Sequence, residues 1–290
     1  MGVFDLLVVG AGPAGLGAAI QAAHAGWSVA VLDMRRPLSR LMLAGRVDNF
    51  PGQPGLAGPV LLDRMREQAR AKGVTFVAGR CLSLGYAGKL FRAETSGRAL
   101  EARAAIVATG LEPKKLGAKV SPGRLEGRRV FYRWTDIPLG SGARVLVIGG
   151  GEAAFDQACS LAERGCRVTL AVRGAYDRVF PALRDRVACL GVVARYRISV
   201  VKIEETVPGV MVNAETAGRP ARIGFDFCLA AIGGRKSLPE TAPAARFRLG
   251  RGLWLAGEAA DPRWRQAAIA YGDGIKKAMM AGEYLKTEAK

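Results

Sequence analysis

Two glycine-rich phrases carry the residues of this chain whose types and spacing suit chemistry. The first, Gly10-Ala11-Gly12-Pro13-Ala14-Gly15, follows the apolar run from Phe4 to Val9. The second, Gly149-Gly150-Gly151-Glu152-Ala153-Ala154, follows the apolar run from Val145 to Ile148. In a GxGxxG turn the first glycine permits the tight bend and the second lets backbone approach a pyrophosphate. The third position, Gly or Ala, lets helix pack on strand. Free N–H groups and the positive dipole end of the following helix then face the phosphates. One such phrase also serves ordinary turns, but two copies, each between a strand-like run and an Ala-rich helical run, predict two dinucleotide sites. Two dinucleotides on one chain predict a flavin and a nicotinamide exchanging electrons.

The acids near the two phrases differ. Asp33 stands 23 residues after Gly10, where a carboxylate accepts from ribose hydroxyls. The same count from Gly149 falls on Val172, and Arg173 and Arg178 follow. A ribose 2′-phosphate is repelled by an acid and drawn to guanidinium, so the second site is expected to favour NADPH over NADH.

The elements that must position these residues are legible as two βαβ units. The first reads as a strand over 4–9, a helix over 12–25 and a strand over 28–32. A turn-rich stretch over 47–55 holds no regular element. A helix over 58–72 follows, then short strands over 74–77, 90–93 and 104–107, the last running into Ala108-Thr109-Gly110. The second unit repeats the plan with a strand over 144–148, a helix over 152–164 and a strand over 167–172. The chain closes with a strand over 253–255, the phrase Ala256-Gly257-Glu258, and a helix that runs on from Arg265-Gln266-Ala267 to Leu285. The expected fold is α/β with two Rossmann-like dinucleotide-binding domains, the second inserted into the first.

Composition sets the outer limits. At 290 residues, 50% apolar and 23% charged, the chain reads as a globular protein with one or two cores. No apolar run approaches the roughly 20 residues that span a bilayer, and no membrane or secretory segment is expected. Five scattered cysteines form no CxxC pair and His24 is the single histidine, so no metal site is expected and a cytoplasmic, reduced setting is. The net charge of +18 is the outlier. Its basic residues are spread along the chain with no dense tract interleaved with aromatics. Nucleic acid is therefore not an expected partner, whereas an acidic protein is.

Taken in order, these phrases make the chain resemble the low-molecular-weight thioredoxin reductase family of pyridine nucleotide-dependent flavoproteins. The matching stretches are both glycine phrases, residues 47–52, Ala108-Thr109-Gly110, Ala231-Ile232-Gly233, Ala256-Gly257-Glu258 and Arg265-Gln266-Ala267. The resemblance implies a discontinuous FAD domain over 1–112 and 239–290, an NAD(P)H domain over 113–238, and a homodimer. It assigns Gly10, Gly12, Pro13, Ala14, Gly15 and Asp33 to the ADP half of FAD. Asn49, Ala108, Thr109, Gly110, Gly257, Glu258, Arg265, Gln266 and Ala267 fall to the flavin half. The family's acid at position 258 is normally Asp, one methylene shorter. Gly149, Gly151, Glu152, Ala154, Arg173 and Arg178 fall to the second nucleotide, with Gly174 replacing the second of the family's paired arginines.

One departure bears on the reaction. Disulfide reduction needs a thiolate carrier beside the flavin, and the family places its CxxC just before the second glycine phrase. Here that stretch reads Val130-Phe131-Tyr132-Arg133-Trp134-Thr135-Asp136, with Arg133 and Asp136 at the two cysteine positions. Tyr132, Arg133, Trp134 and Asp136 are site-shaping candidates. The expected activity is FAD-dependent NAD(P)H oxidation with electrons passed to an acidic carrier such as ferredoxin or flavodoxin. The alternatives are a flavin oxidoreductase acting on a small molecule or oxygen, and a non-catalytic FAD-binding subunit with a degenerate nicotinamide site.

Overall fold

The computed structural model describes residues 2–34, 39–121, 123–140, 142–177 and 179–288. Arg178, one of the candidate phosphate ligands, lies outside the described residues. The first part of the chain runs through β1 (Phe4–Val9), α1 (Pro13–His24), β2 (Val29–Asp33) and α2 (Gly58–Ala71). It continues through β3 (Thr75–Ala78), β4 (Ser83–Ala87), β5 (Leu90–Glu94), β6 (Ala99–Val107) and β7 (Leu111–Pro113). The middle part holds β8 (Val130–Phe131), β9 (Arg144–Ile148), α3 (Glu152–Ala162), β10 (Arg167–Val172), α4 (Pro181–Cys189) and β11 (Val193–Tyr196). After these come β12 (Ile198–Thr206), β13 (Gly209–Thr216), β14 (Arg219–Phe225), β15 (Phe227–Ala230) and β16 (Gly234–Lys236). The last part holds β17 (Glu240–Thr241), α5 (Pro243–Arg246), β18 (Leu253–Leu255) and α6 (Ala267–Glu288).

These elements form two compact units. One runs to Met42, resumes over Arg46–Glu112, and resumes again from Lys236; the other holds Leu43–Gly45 and Pro113–Arg235. β7 and β16 pair in a two-stranded ribbon where the chain passes between units.

In the first unit the strand order is β17-β4-β5-β6-β1-β2-β3, with β18 also on β6. The β6-β1-β2-β3 portion is parallel and β4-β5 extends it in antiparallel fashion. β1 is flanked by a strand on each side and its Leu6, Leu7 and Val8 are fully buried. That explains its continuous apolar run, since a parallel strand covered on both faces has no polar side to alternate. Leu7, Leu32, Val107, Phe91 and Leu100 fill one face of the sheet.

α1 and α6 touch backbone to backbone within this unit. A Cβ at Gly274 would lie 1.9 Å from the Ala14 carbonyl oxygen, and one at Gly17 would lie 2.5 Å from the Tyr271 carbonyl oxygen. Only glycine allows so close an approach. The C-terminal helix is therefore seated on the helix that opens at the first glycine turn, although the two lie at opposite ends of the sequence.

The second unit centres on an all-parallel sheet ordered β11-β10-β9-β15-β8. α3 and α4 cover one face through Phe155, Ala158, Leu161, Leu183 and Val187. The antiparallel meander β12-β13-β14 covers the other through Ile203, Val210, Val212 and Phe225, against Leu146 and Ala171. The sequence reading found no elements over 198–225, so the meander is an addition. In both units the central strand, β1 or β9, leads into a glycine turn at the point where strand order reverses, which is where open α/β sheets bind ligands. Among the described residues no helix is long and apolar enough to cross a membrane.

Candidate functional site

The first glycine turn is closed by backbone on two sides. Gly10 adopts φ +107°, and a Cβ there would lie 2.6 Å from the Ala108 carbonyl oxygen. A Cβ at Gly15 would lie 1.8 Å from the Gly10 carbonyl oxygen. A Cβ at Gly12 would meet only Ser39 Oγ, at 3.4 Å, so the middle of the turn stays open to a ligand. α1 starts there with Pro13, no side-chain cap and no acid in its first turn. A pyrophosphate fits such a cradle, with N–H groups left for its oxygens.

Asp33 ends β2 and its Oδ1 accepts from the Ala11 N–H at 3.0 Å. Burial pushes this carboxyl above the usual range, against the Ala11 N–H and the Arg66 charge, which pull it down. Arg66 Nη2 lies 3.8 Å from Asp33 Oδ2. One carboxylate oxygen is thus used to shape the turn, while the other meets only a long-range ion pair. Thr109 Oγ1, three residues on from Ile106 in the neighbouring strand's exit, is buried without a hydrogen-bond partner. An orphaned hydroxyl at this edge is what a bound polar group would satisfy.

Residues assigned by resemblance to the flavin half also meet inside the first unit. Asn49 Nδ2 donates to Gln266 Oε1 at 2.7 Å across 217 residues of sequence. Phe50 packs edge-on to Tyr271, with ring centroids 5.8 Å apart. Glu258 accepts from Arg40 Nη1 at 2.5 Å, and its Oε2 lies 3.9 Å from where a Gly110 Cβ would stand. The longer acid at 258 is therefore engaged by a cation that the sequence reading did not single out. Gly257, at φ +62°, donates its N–H to Asp273 Oδ2 at 2.7 Å, so Asp273 on α6 holds this turn in place. Arg40, Arg66 and Asp273 had no motif around them to mark them. Arg265 donates from Nε to the Pro262 carbonyl oxygen at 2.8 Å, and Ala267 is the first residue of α6.

The second turn follows the same plan with different neighbours. A Cβ at Gly149 would lie 2.5 Å from the Ala231 carbonyl oxygen and 2.8 Å from the Ala154 Cβ. A Cβ at Gly151 would meet nothing within 4 Å. α3 opens with the exposed Glu152 in its first turn. Val172 is buried at the end of β10, and Arg173 after it is exposed. No acid occupies the ribose position. The acid in the next turn, Asp177, is buried and accepts from Tyr196 OH at 2.6 Å, Arg184 Nε at 2.6 Å and the Val179 N–H at 3.3 Å. Burial alone would raise its carboxyl, but these hydrogen bonds outweigh that and hold it below the usual range.

The segment at the two cysteine positions belongs to the second unit. Arg133 Nη1 lies 3.9 Å from Asp136 Oδ2. Trp134 sits in a short 3-10 turn with its N–H on Gln157 Oε1 at 3.2 Å and its Nε1 on the Leu43 carbonyl oxygen at 2.9 Å. The Arg164 guanidinium lies over its ring at 3.9 Å. Tyr132 OH donates to Glu126 at 3.0 Å and accepts from the Leu116 N–H at 3.2 Å. Each of these side chains is thus engaged within its own unit. Burial pushes the thiols of Cys81 and Cys159 up to about 11 and that of Cys228 to about 12.

Comparison with known proteins agrees with this geometry. The profile of the family described as pyridine nucleotide-disulphide oxidoreductase matches residues 4–254. A thioredoxin reductase of Listeria monocytogenes is 32% identical over 186 residues, covering 63% of this chain and 58% of that protein. The chain thus spans less than two thirds of that relative. A thioredoxin reductase of Streptomyces coelicolor is 29% identical over 305 residues, covering 98% of this chain and 94% of that protein. The crystal structure of Lactococcus lactis thioredoxin reductase in its FR conformation shares the fold, with a TM-score of 0.86 at 22% identity over 98% of this chain and 99% of that one.

Proposed function

Because the chain belongs to the pyridine nucleotide-disulphide oxidoreductase family, we propose that it is an FAD-dependent NAD(P)H oxidoreductase that works without a protein dithiol. In this reading its electrons leave to an acidic redox protein of ferredoxin or flavodoxin type. FAD, when bound, would supply the capacity to accept a hydride equivalent and to release single electrons. The chain's own residues bind and orient. Gly10, Gly12 and Gly15 would admit the FAD pyrophosphate, and Asp33 would accept from its ribose. Asn49, Gln266 and the opening of α6 would hold the flavin end, where a helix N-terminus favours negative charge. Gly149, Gly151 and Arg173 would hold the nicotinamide nucleotide.

The observation that carries the dithiol-free exit is the state of the thiols. Arg133 and Asp136 stand where a redox pair would, and Cys159, Cys166 and Cys228 are buried. Burial raises all three above their usual range, so little thiolate exists at neutral pH. Cys189 is exposed but has no cysteine near it in sequence. The +18 charge supports the choice of acceptor, because a strongly basic surface speeds encounter with an acidic partner.

The test is spectroscopic. Anaerobic NADPH or NADH should bleach the visible flavin bands, and oxidised ferredoxin or flavodoxin should restore them at a rate that falls with added salt. Tight flavin that neither nucleotide bleaches would point instead to a non-catalytic FAD-binding subunit. Rapid turnover with thioredoxin or a small disulfide would overturn the dithiol-free exit.

A further inference from the structure

Beyond the second glycine turn, the ends of two neighbouring strands each carry an arginine, Arg173 and Arg197. β10 and β11 run parallel with Val172 opposite Tyr196. One step further, the Arg197 N–H donates to the Gly174 carbonyl oxygen at 2.9 Å, and the Arg197 carbonyl accepts from the Ala217 N–H at 3.2 Å. Arg197 adopts φ +56°, a left-handed conformation uncommon for a residue with a side chain. Its backbone is thus held by Gly174 on one side and by Ala217 on the other. Gly174 is where the resemblance places the second of two arginines. A Cβ there would lie 3.1 Å from the Tyr176 carbonyl oxygen, so this tight turn crowds any side chain. The turn's own carboxylate, Asp177, is already consumed by Tyr196 and Arg184. Arg173 and Arg197 are both exposed, and among the described residues neither has an ion-pair partner.

We propose that Arg197, reaching from the neighbouring strand end, replaces the guanidinium missing at Gly174 and, with Arg173, selects a ligand bearing a phosphate on its adenosine ribose. This rests on the reading that the second glycine turn binds a nicotinamide dinucleotide. Two unpaired guanidiniums at the C-terminal ends of adjacent parallel strands suit a dianion, and ligands of such sheets lie at those ends. The left-handed backbone and its two hydrogen bonds hold Arg197 in register without any charge spent on a protein acid. The selected cosubstrate is therefore NADPH.

The test uses the flavin-loaded protein, so that the first site is filled, and reads binding of the redox-inert fragments 2′,5′-ADP and 5′-ADP by calorimetry. Arg197→Asn is the variant of choice because Asn tolerates the left-handed backbone. It should weaken 2′,5′-ADP about tenfold, roughly 1.4 kcal/mol, while 5′-ADP stays within about twofold. Arg197→Lys should recover part of the loss. Arg167→Gln, at the opposite end of β10, removes the same charge and should leave both fragments within about twofold. Equal affinity of the native protein for the two fragments would overturn the inference. So would an Arg197→Asn variant that loses both fragments alike or loses neither. Those outcomes leave the nucleotide site standing; a native protein that binds neither fragment would overturn that site and the inference together.

Discussion

The two glycine turns follow one local plan and are finished differently. At the first, Gly15 packs so tightly under Gly10 that no side chain fits, and Asp33 is locked to the Ala11 N–H. Its helix carries no acid in the opening turn. At the second, Ala154 takes the third position, Gly151 faces open space, and Glu152 opens the helix. No acid awaits a ribose there, and the nearest carboxylate in the following turn is tied to Tyr196 and Arg184. A phosphate on the second helix would meet Glu152, whose charge opposes it. The shared phrase thus specifies a kind of turn, and the surroundings set the space and the charge around it.

The sharpest way to break this comparison is Gly15→Ala. Its Cβ would collide with backbone, so we expect a loss of about 3 kcal/mol in thermal or denaturant unfolding, together with loss of bound flavin at 450 nm. A protein that keeps its flavin and stability would show that the first turn is looser than its geometry.

The two acids should titrate in opposite senses. Asp177 sits below its ordinary pKa in the fold, so its ionised form stabilises above about pH 4, and that stability is lost as pH falls through the lower folded value. Asp177→Asn should cost about 2 kcal/mol at pH 7, and its unfolding curve should converge on that of the native protein in acid. Asp33 sits above its ordinary pKa, so ionising it costs stability as pH rises from its unfolded value through the folded one. Asp33→Asn should therefore show its advantage, in flavin-free protein, above about pH 4 and lose it in acid. The same variant should weaken FAD about tenfold in reconstitution titrations, since a charged acceptor is replaced by a neutral one.

The smallest effect belongs to the open turn. Gly151→Ala meets no atom, so stability should change by about 0.5 kcal/mol or less. Any larger loss of nucleotide binding would then report contact between the ligand and that position rather than damage to the fold.

Much of this architecture is legible in the chain because its signals are local. The run from Phe4 to Val9, the turn at Gly10 and the acid at Asp33 lie within one βαβ span, and the same holds from Val145 to Arg173. Strand β6 came out longer than its apolar end, since Ala99 to Arg103 alternate inward and outward beside an antiparallel neighbour. The meander over 198–225 stayed hidden because its outer face carries Lys202, Glu204, Asn213, Glu215 and Arg222, which read as a polar stretch. Its inward residues, Ile203, Val212 and Phe225, declare themselves only against the sheet they cover.

By itself, the sequence determined that this protein holds two dinucleotide turns and lacks a cysteine pair, because glycine spacing and residue identity act within a few residues. Only the tertiary structure decided how each turn is finished. Asp273 holds Gly257, Arg40 holds Glu258, Asn49 meets Gln266, and Arg197 stands against Gly174. The partners in each pair lie 16 or more residues apart in the chain. Side chains that carry no motif acquire a role only when packing brings a partner within hydrogen-bond reach, and that depends on the closed backbone contacts of glycines such as Gly15 and Gly274.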